Sequence, residues 1–205
     1  MQGFIIKVNR YKDEDLIVTI ITQQNLQTLY RFYGARHSVI NLGFKIDFEV
    51  EKSLNSTIAR LRDVIHLGHP WITDRMRLSI WQQFSALFYP HLKDAEEIGD
   101  FYFEILDHAA NTWHQQNPKR IAIESYIKIL KHEGRLHEEF YCFHCEGEIE
   151  TNVSLLRAFL PSHPECSHRL SVPSRTLKKL YVDESTLFMS DKEVSILWNV
   201  LIEGL

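Results

Sequence analysis

Phe44-Lys45-Ile46-Asp47-Phe48-Glu49-Val50-Glu51 decides the fold class of the first third of this 205-residue chain. Apolar and charged residues alternate through the whole segment. A period of two puts Phe44, Ile46, Phe48 and Val50 on one face of a strand and the four charges on the other. Upstream, Leu26, Thr28, Tyr30 and Phe32 alternate with Gln27, Leu29, Arg31 and Tyr33, and Gly34 ends the run. Residues 16–21 form a short β-branched run after the acidic turn Asp13-Glu14-Asp15, and Phe4, Ile6 and Val8 alternate with Ile5 and Lys7. Residues 57–65 supply a fifth candidate strand. Five short strands predict a small antiparallel barrel, of the OB type that most often binds oligonucleotides or of the SH3-like type.

Past Gly68-His69-Pro70 the apolar period becomes helical. Ile80, Phe84, Leu87 and Phe88 share one face, and Pro90 is expected to stop that helix. Ile98, Phe101, Tyr102 and Ile105 share another. Asn117-Pro118 is an N-cap followed by proline at the first helical position, Ile123, Tyr126, Ile127 and Leu130 follow, and Gly134 stands where a terminating glycine is expected. Ser190 and Glu193 form a capping box ahead of Val194, Leu197, Trp198 and Leu201. These aromatic stripes read as core. The expected organisation is α+β and multidomain: a barrel domain over residues 1–68, and a helical domain over residues 69–205 interrupted at about 140–172.

Composition narrows the function classes. Hydrophobic residues make up 44% of the chain, enough for a core, yet no apolar run approaches the ~18 residues that span a bilayer. The N-terminus has neither the apolar region nor the small-residue cleavage site of a signal peptide. An odd number of cysteines, three, argues against a secreted disulfide framework. A cytoplasmic protein without membrane association is expected. The net charge of −4 is unevenly spread: residues 1–70 carry nine Lys and Arg against seven Asp and Glu, and the remainder carries fourteen against twenty. A mildly basic first third thus precedes an acidic remainder.

The interruption holds all three cysteines. Cys142-Phe143-His144-Cys145 is a C-x-x-C, and His163-Pro164-Glu165-Cys166-Ser167-His168 follows about twenty residues on. Two such knuckles at this spacing are the usual sequence form of a structural zinc site, which closes with four tetrahedral ligands. Cys142, Cys145 and Cys166 supply three. His163 is the preferred fourth because H-x-x-C repeats the spacing of the first knuckle; His168 and His144 compete for the place.

Other chemistry is absent from the sequence. There is no phosphate-cradling G-x-x-x-x-G-K-[ST], no G-x-G-x-x-G and no G-x-S-x-G. His132-Glu133-Gly134-Arg135-Leu136-His137 spaces its histidines five apart, which rotates them off a common helical face. Asp13-Glu14-Asp15 reads as a solvated turn rather than a metal cluster. No nucleophile stands beside a base, and the expectation is that the chain is not an enzyme.

Gly3-Phe4-Ile5-Ile6, Asp13-Glu14-Asp15-Leu16-Ile17-Val18-Thr19 and Tyr33-Gly34-Ala35-Arg36 together resemble the N-terminal OB domain of the bacterial RecO family. A helical domain with a late zinc knuckle is that family's order too. The chain is short for the family, and His163 stands in a site that usually has four cysteines. Where members carry a glycine after the second strand, this chain has Gln23-Gln24-Asn25, with Asn25 able to adopt a left-handed conformation. The resemblance implies a DNA repair and recombination role. Such proteins bind single- and double-stranded DNA, anneal complementary strands, partner RecR and the single-strand-binding protein, and indirectly help load RecA. It implies a nucleoid-associated location and an acidic tail peptide docking on the helical domain.

Residues 29–37 carry the DNA expectation, because aromatic rings for bases interleave there with cations for phosphates. Arg31, Arg36, Lys45, Arg60 and Arg62, with Lys7 and Arg10, are expected to meet phosphates. Tyr33, Phe32 and His37 are the stacking candidates, and Tyr33 leads if Tyr30 and Phe32 face the core. The rival expectation is a structural adaptor whose barrel and zinc-stapled helical domain bind protein without nucleic acid.

Overall fold

Strand β1 (Gln2–Arg10) pairs antiparallel with β2 (Leu16–Thr22), and β2 pairs with β3 (Leu26–Arg31). β4 (Lys45–Glu51) lies antiparallel to both β1 and β5 (Arg60–His66). A parallel contact of Tyr30 with Arg60 joins β3 to β5 and closes the barrel in the order β1-β2-β3-β5-β4. This is the five-stranded OB arrangement. The computed structural model describes residues 1–52, 56–95 and 97–205.

Ile5, Leu16, Val18, Ile20, Leu29, Ile46, Phe48 and Leu61 fill the barrel. In β4 the alternation holds, with Ile46 and Phe48 buried between less buried charged neighbours. In β1 it fails, because Phe4, Ile5 and Ile6 are all buried. The outer face of β1 is covered. Helix α1 (Arg75–Ala86) and helix α3 (Phe101–Thr112) present Trp81 and Phe103 to the Phe4 ring, at centroid distances of 6.0 and 5.6 Å. Trp81 stacks edge-on with Trp71 and Trp113, and its Nε1–H donates to the Gly43 carbonyl at 2.6 Å. The period change at Gly68-His69-Pro70 therefore marks the end of the barrel strands, whereas the first compact unit, Met1–His114, runs on through α3.

Asp74 caps α1 by accepting from the Met76 and Arg77 N–H groups. Pro90 does not stop it: α1 ends at Ala86, and Pro90 lies in the first turn of the short helix α2 (Phe88–Leu92). A first-turn proline lacks only an N–H that would have no helical partner. The expected left-handed Asn25 is likewise corrected, since Asn25 is not among the positive-φ residues. The Thr22 hydroxyl makes that turn instead, accepting from the Gln24 and Asn25 N–H groups.

Two imidazoles sit at this barrel–helix junction. His66 stacks on Phe44 at 4.2 Å and His69 on Trp71 at 5.3 Å, and each Nε2 is buried without a partner. Burial pushes both below the usual histidine range, and the Lys45 ammonium pushes His69 further. The folded unit thus favours neutral rings, and the unfolded chain takes up protons first as pH falls. Their contribution is complete above the ordinary value near 6.5 and drains away as pH falls through it towards the depressed folded values. Melting temperature should drop between pH 7.5 and 5.5, and a His66→Gln/His69→Phe variant should show a smaller drop. An equal drop in both proteins would refute the assignment.

The second unit, Gln115–Leu205, is built on helix α4 (Pro118–His132). Asn117 caps it, and Gly134 follows its end with a φ of 65°, a left-handed value that glycine adopts at little cost. The cysteine-bearing interruption carries a small sheet. Strands β6 (Asn152–Leu155), β7 (Pro161–Ser162) and β8 (Ser171–Pro173) form a sheet in the order β7-β6-β8, with the one-turn helix α5 (Pro164–Ser167) between β7 and β8. Helices α6 (Ser174–Asp183) and α7 (Asp191–Leu201) complete the unit. The Ser190–Glu193 capping box forms, and Val194, Leu197, Trp198 and Leu201 are buried behind it. Glu124 on α4 accepts from the Thr186 N–H and hydroxyl, and Arg120 donates to the Thr186 and Met189 carbonyls. These bonds hold the segment between α6 and α7 against α4.

Candidate nucleic-acid interface and metal centre

The turn between β1 and β2 meets the end of β3 through Asp15. Asp15 accepts the Tyr30 hydroxyl proton and, at 2.8 Å, the Tyr33 N–H. These two bonds, the hydroxyl first, hold the Asp15 carboxyl below its usual range, while the bond to Asp15, followed by burial, pushes the Tyr30 phenol up to about 12. Asp15 is therefore an ionised acceptor that organises the turn. The Tyr33 N–H bond also helps hold a non-glycine residue at a left-handed φ of 49°. Gly34 follows because a Cβ there would lie 2.8 Å from Leu16 Cδ1.

An aromatic row results on the outside of the barrel. Tyr11 meets Tyr30 edge-on at 5.9 Å, and Tyr30 meets Phe32 at 4.8 Å. The Arg60 guanidinium lies 5.0 Å from the Phe32 ring centre, the Lys12 ammonium 5.7 Å from Tyr11, and the Arg36 guanidinium 5.2 Å from Tyr33. Tyr11 is 56% exposed, Phe32 44% and Tyr33 59%. The face expected for β3 is thereby corrected. Leu29 points into the barrel core, and Tyr30 lies in the exposed row with Phe32. Sequence reasoning missed Tyr11, although Arg10-Tyr11-Lys12 repeats the aromatic–basic interleaving of residues 29–37.

The expected phosphate contacts separate into two groups. Arg10, Arg36, His37, Arg60 and Arg62 lie at the exposed or half-exposed surface of the barrel. Arg36 pairs with Glu14, and Arg60 and Arg62 approach Glu51 at 3.7 and 3.8 Å. The other group is engaged inside the unit. Lys7 sits 3.6 Å over the Tyr89 ring of α2, and Lys45 pairs with Asp107 of α3 at 2.6 Å. Arg31 is half-buried and donates to the Leu61 carbonyl at 2.9 Å, joining β3 to β5. Lys7, Lys45 and Arg31 thus each have a partner within the barrel unit.

Residues 1–72 match the family model described as RecO N terminal. The barrel is a RecO N-terminal domain. That domain carries a RecO-like role in DNA recombination and repair. A search of curated proteins finds no match to this chain.

The structure brings Cys142, Cys145, His163 and Cys166 together in the second unit. Their ligand atoms all lie within 4.8 Å of one another, and among the described residues neither His144 nor His168 joins the group. The His163 Nδ1 lies 3.3 Å from the Cys145 sulfur and 3.9 Å from that of Cys166. A zinc tetrahedron with sulfurs at ~2.3 Å has edges of about 3.8 Å, so the residues fit a metal of that size. The His163 Nε2 lies 3.1 Å from the Glu148 carbonyl oxygen, which can only accept. The ring proton therefore sits on Nε2, and Nδ1 turns its lone pair to the sulfurs.

The sulfurs differ without a cation. Burial pushes the Cys142 thiol up, but the His163, Cys145 and His144 N–H groups and the Ser162 hydroxyl outweigh it and hold the group at about 5. Burial, followed by the neighbouring Cys145 and Cys142 sulfurs, pushes Cys166 up to about 11. A dication bound among them would stabilise all three sulfurs as thiolates. Among the described residues, no helix is long and apolar enough to cross a membrane.

Proposed function

We propose that this chain is a non-enzymatic recombination mediator that binds and anneals single-stranded DNA, with RecR and the single-strand-binding protein as partners and RecA helped indirectly. The row Tyr11–Tyr30–Phe32 with Arg60, on a RecO N-terminal barrel, is the observation that carries it. Rings that take bases by their faces leave the Watson–Crick edges open, and those edges are what a complementary strand needs in order to anneal. Zinc held by Cys142, Cys145, His163 and Cys166 is structural in this reading, because four protein ligands leave no open coordination position. A groove of about 230 Å³ lined by Arg169, Leu170, Ile196, Asn199, Val200 and Glu203 has an apolar floor; its one cation, Arg169, is paired with Glu203 at 2.6 Å, so an acidic tail peptide of the single-strand-binding protein docking there would compete with Glu203 for the guanidinium.

The pairing of Arg36 with Glu14, and of Arg60 and Arg62 with Glu51, favours the rival adaptor reading, since those cations are already partly neutralised. Titration of a fluorescent oligo-dT at 50 and 200 mM salt decides. The mediator binds at low salt and loses affinity with a slope of about −0.7 per phosphate contacted. No binding at 50 mM salt would leave the adaptor standing.

A further inference from the structure

The chain that runs from α4 into the metal centre is acidic: residues 138–150 hold five glutamates and no lysine or arginine. All five glutamates are exposed. Two large aromatic side chains are exposed among them, Tyr141 at 53% and Phe143 at 62%. With Leu160 and Pro161 they floor a groove of about 530 Å³, and Glu138 and Glu139 form its rim. A smaller recess of about 250 Å³ continues past Glu139 and Tyr141 to Glu148, where Lys178 brings the one cation of that lining.

The aromatic wall is held by the metal knuckle. Phe143 lies between the ligands Cys142 and Cys145, and its N–H donates to the Pro161 carbonyl at 2.9 Å. Tyr141 pairs with Glu148 across the same turn. A rigid wall of ring faces beside carboxylates is suited to guanidinium and ammonium groups, which gain both cation–π contact and charge complementarity. The same carboxylates repel phosphates.

We propose that this groove docks a basic segment of a partner protein, with Arg and Lys heads between Glu138, Glu139 and the two rings and an aliphatic side chain on Leu160 and Pro161. The surface belongs to the second unit and is opposite in charge to the cations beside the barrel's aromatic row.

The probe is a fluorescent twelve-residue peptide of alternating Arg and Leu, titrated by anisotropy into the intact, metal-loaded chain at 50 mM salt. A peptide with Glu in place of Arg is the control. The basic peptide should bind and the acidic one should not. Glu138→Gln/Glu139→Gln should weaken binding about tenfold, as two lost ion pairs allow, with metal content and melting unchanged. Phe143→Ser should weaken it as well; if that variant loses metal, the double glutamine variant alone carries the test. The double glutamine variant should bind oligo-dT like the parent, which separates this docking from the DNA reading. Failure of the basic peptide to bind, equal binding by the double variant, or equal binding of the acidic peptide would overturn the proposal.

Discussion

Replacing Cys142 with serine should remove the metal from the second unit and unfold its cysteine-bearing insertion. Metal content should fall from one per chain to near zero, and the second unit's melting temperature should fall by about 10–20 °C. The size follows from how little else holds the insertion. Its strands run four, two and three residues, and α5 is a single turn. Cys142 is the one buried ligand, taking the His163 N–H at 3.4 Å and lying 3.6 Å from the Ser162 hydroxyl. Serine keeps the volume and hydrogen-bonding capacity but not the thiolate, so the comparison isolates ligation. Chelation of the parent should reproduce the shift, and zinc should reverse it. His144→Ala and His168→Ala should keep the metal. A parent protein that carries no metal, or that melts unchanged after chelation, would overturn the structural-zinc reading.

The ligand set was legible because spacing alone constrains it: two knuckles of equal length place four donors around one point. The competition with His168 and His144 needed coordinates, since the one-turn helix α5 aims His163 inward and leaves His168 beyond its end in a left-handed conformation. The barrel was legible from a period of two wherever one strand face stays in solvent, as in β4. It was misleading where helices cover the outside. No local signal shows that Trp81 and Phe103 will bury Phe4, or that Lys7 and Lys45 will be spent on Tyr89 and Asp107. β3 was misread for a related reason. Its most polar inward residue, Arg31, finds the Leu61 carbonyl at the β3–β5 seam, and a contact between strands so far apart in sequence leaves no trace in local pattern. Strands β6, β7 and β8 are too short to show a period at all.

Tyr11→Ala combined with Phe32→Ala should weaken oligo-dT binding more than any change of cations on the barrel. One stacked base contributes about 1–3 kcal/mol, so losing two platforms costs about 2–6 kcal/mol, or between about 30-fold and 10⁴-fold in affinity. Both rings are at least 44% exposed, so folding should survive. Tyr30 is left in place because its hydroxyl bond to Asp15 holds the turn that positions the row. The salt dependence separates the roles. Ring removal should shift the whole curve at constant slope, because no phosphate contact is lost. Arg60→Ala should flatten the slope by about 0.7, the value for one phosphate on a single strand. Arg31→Ala should do neither to a comparable degree and should instead lower the melting temperature, since it breaks the bond to the Leu61 carbonyl. Phe32→Tyr should retain binding, as a phenol offers the same ring face. A double ring variant that melts normally and binds like the parent would exclude base stacking on this face. Any remaining affinity would then be phosphate attraction alone, which predicts a steep salt slope and no difference between a dT oligonucleotide and an abasic strand of equal length.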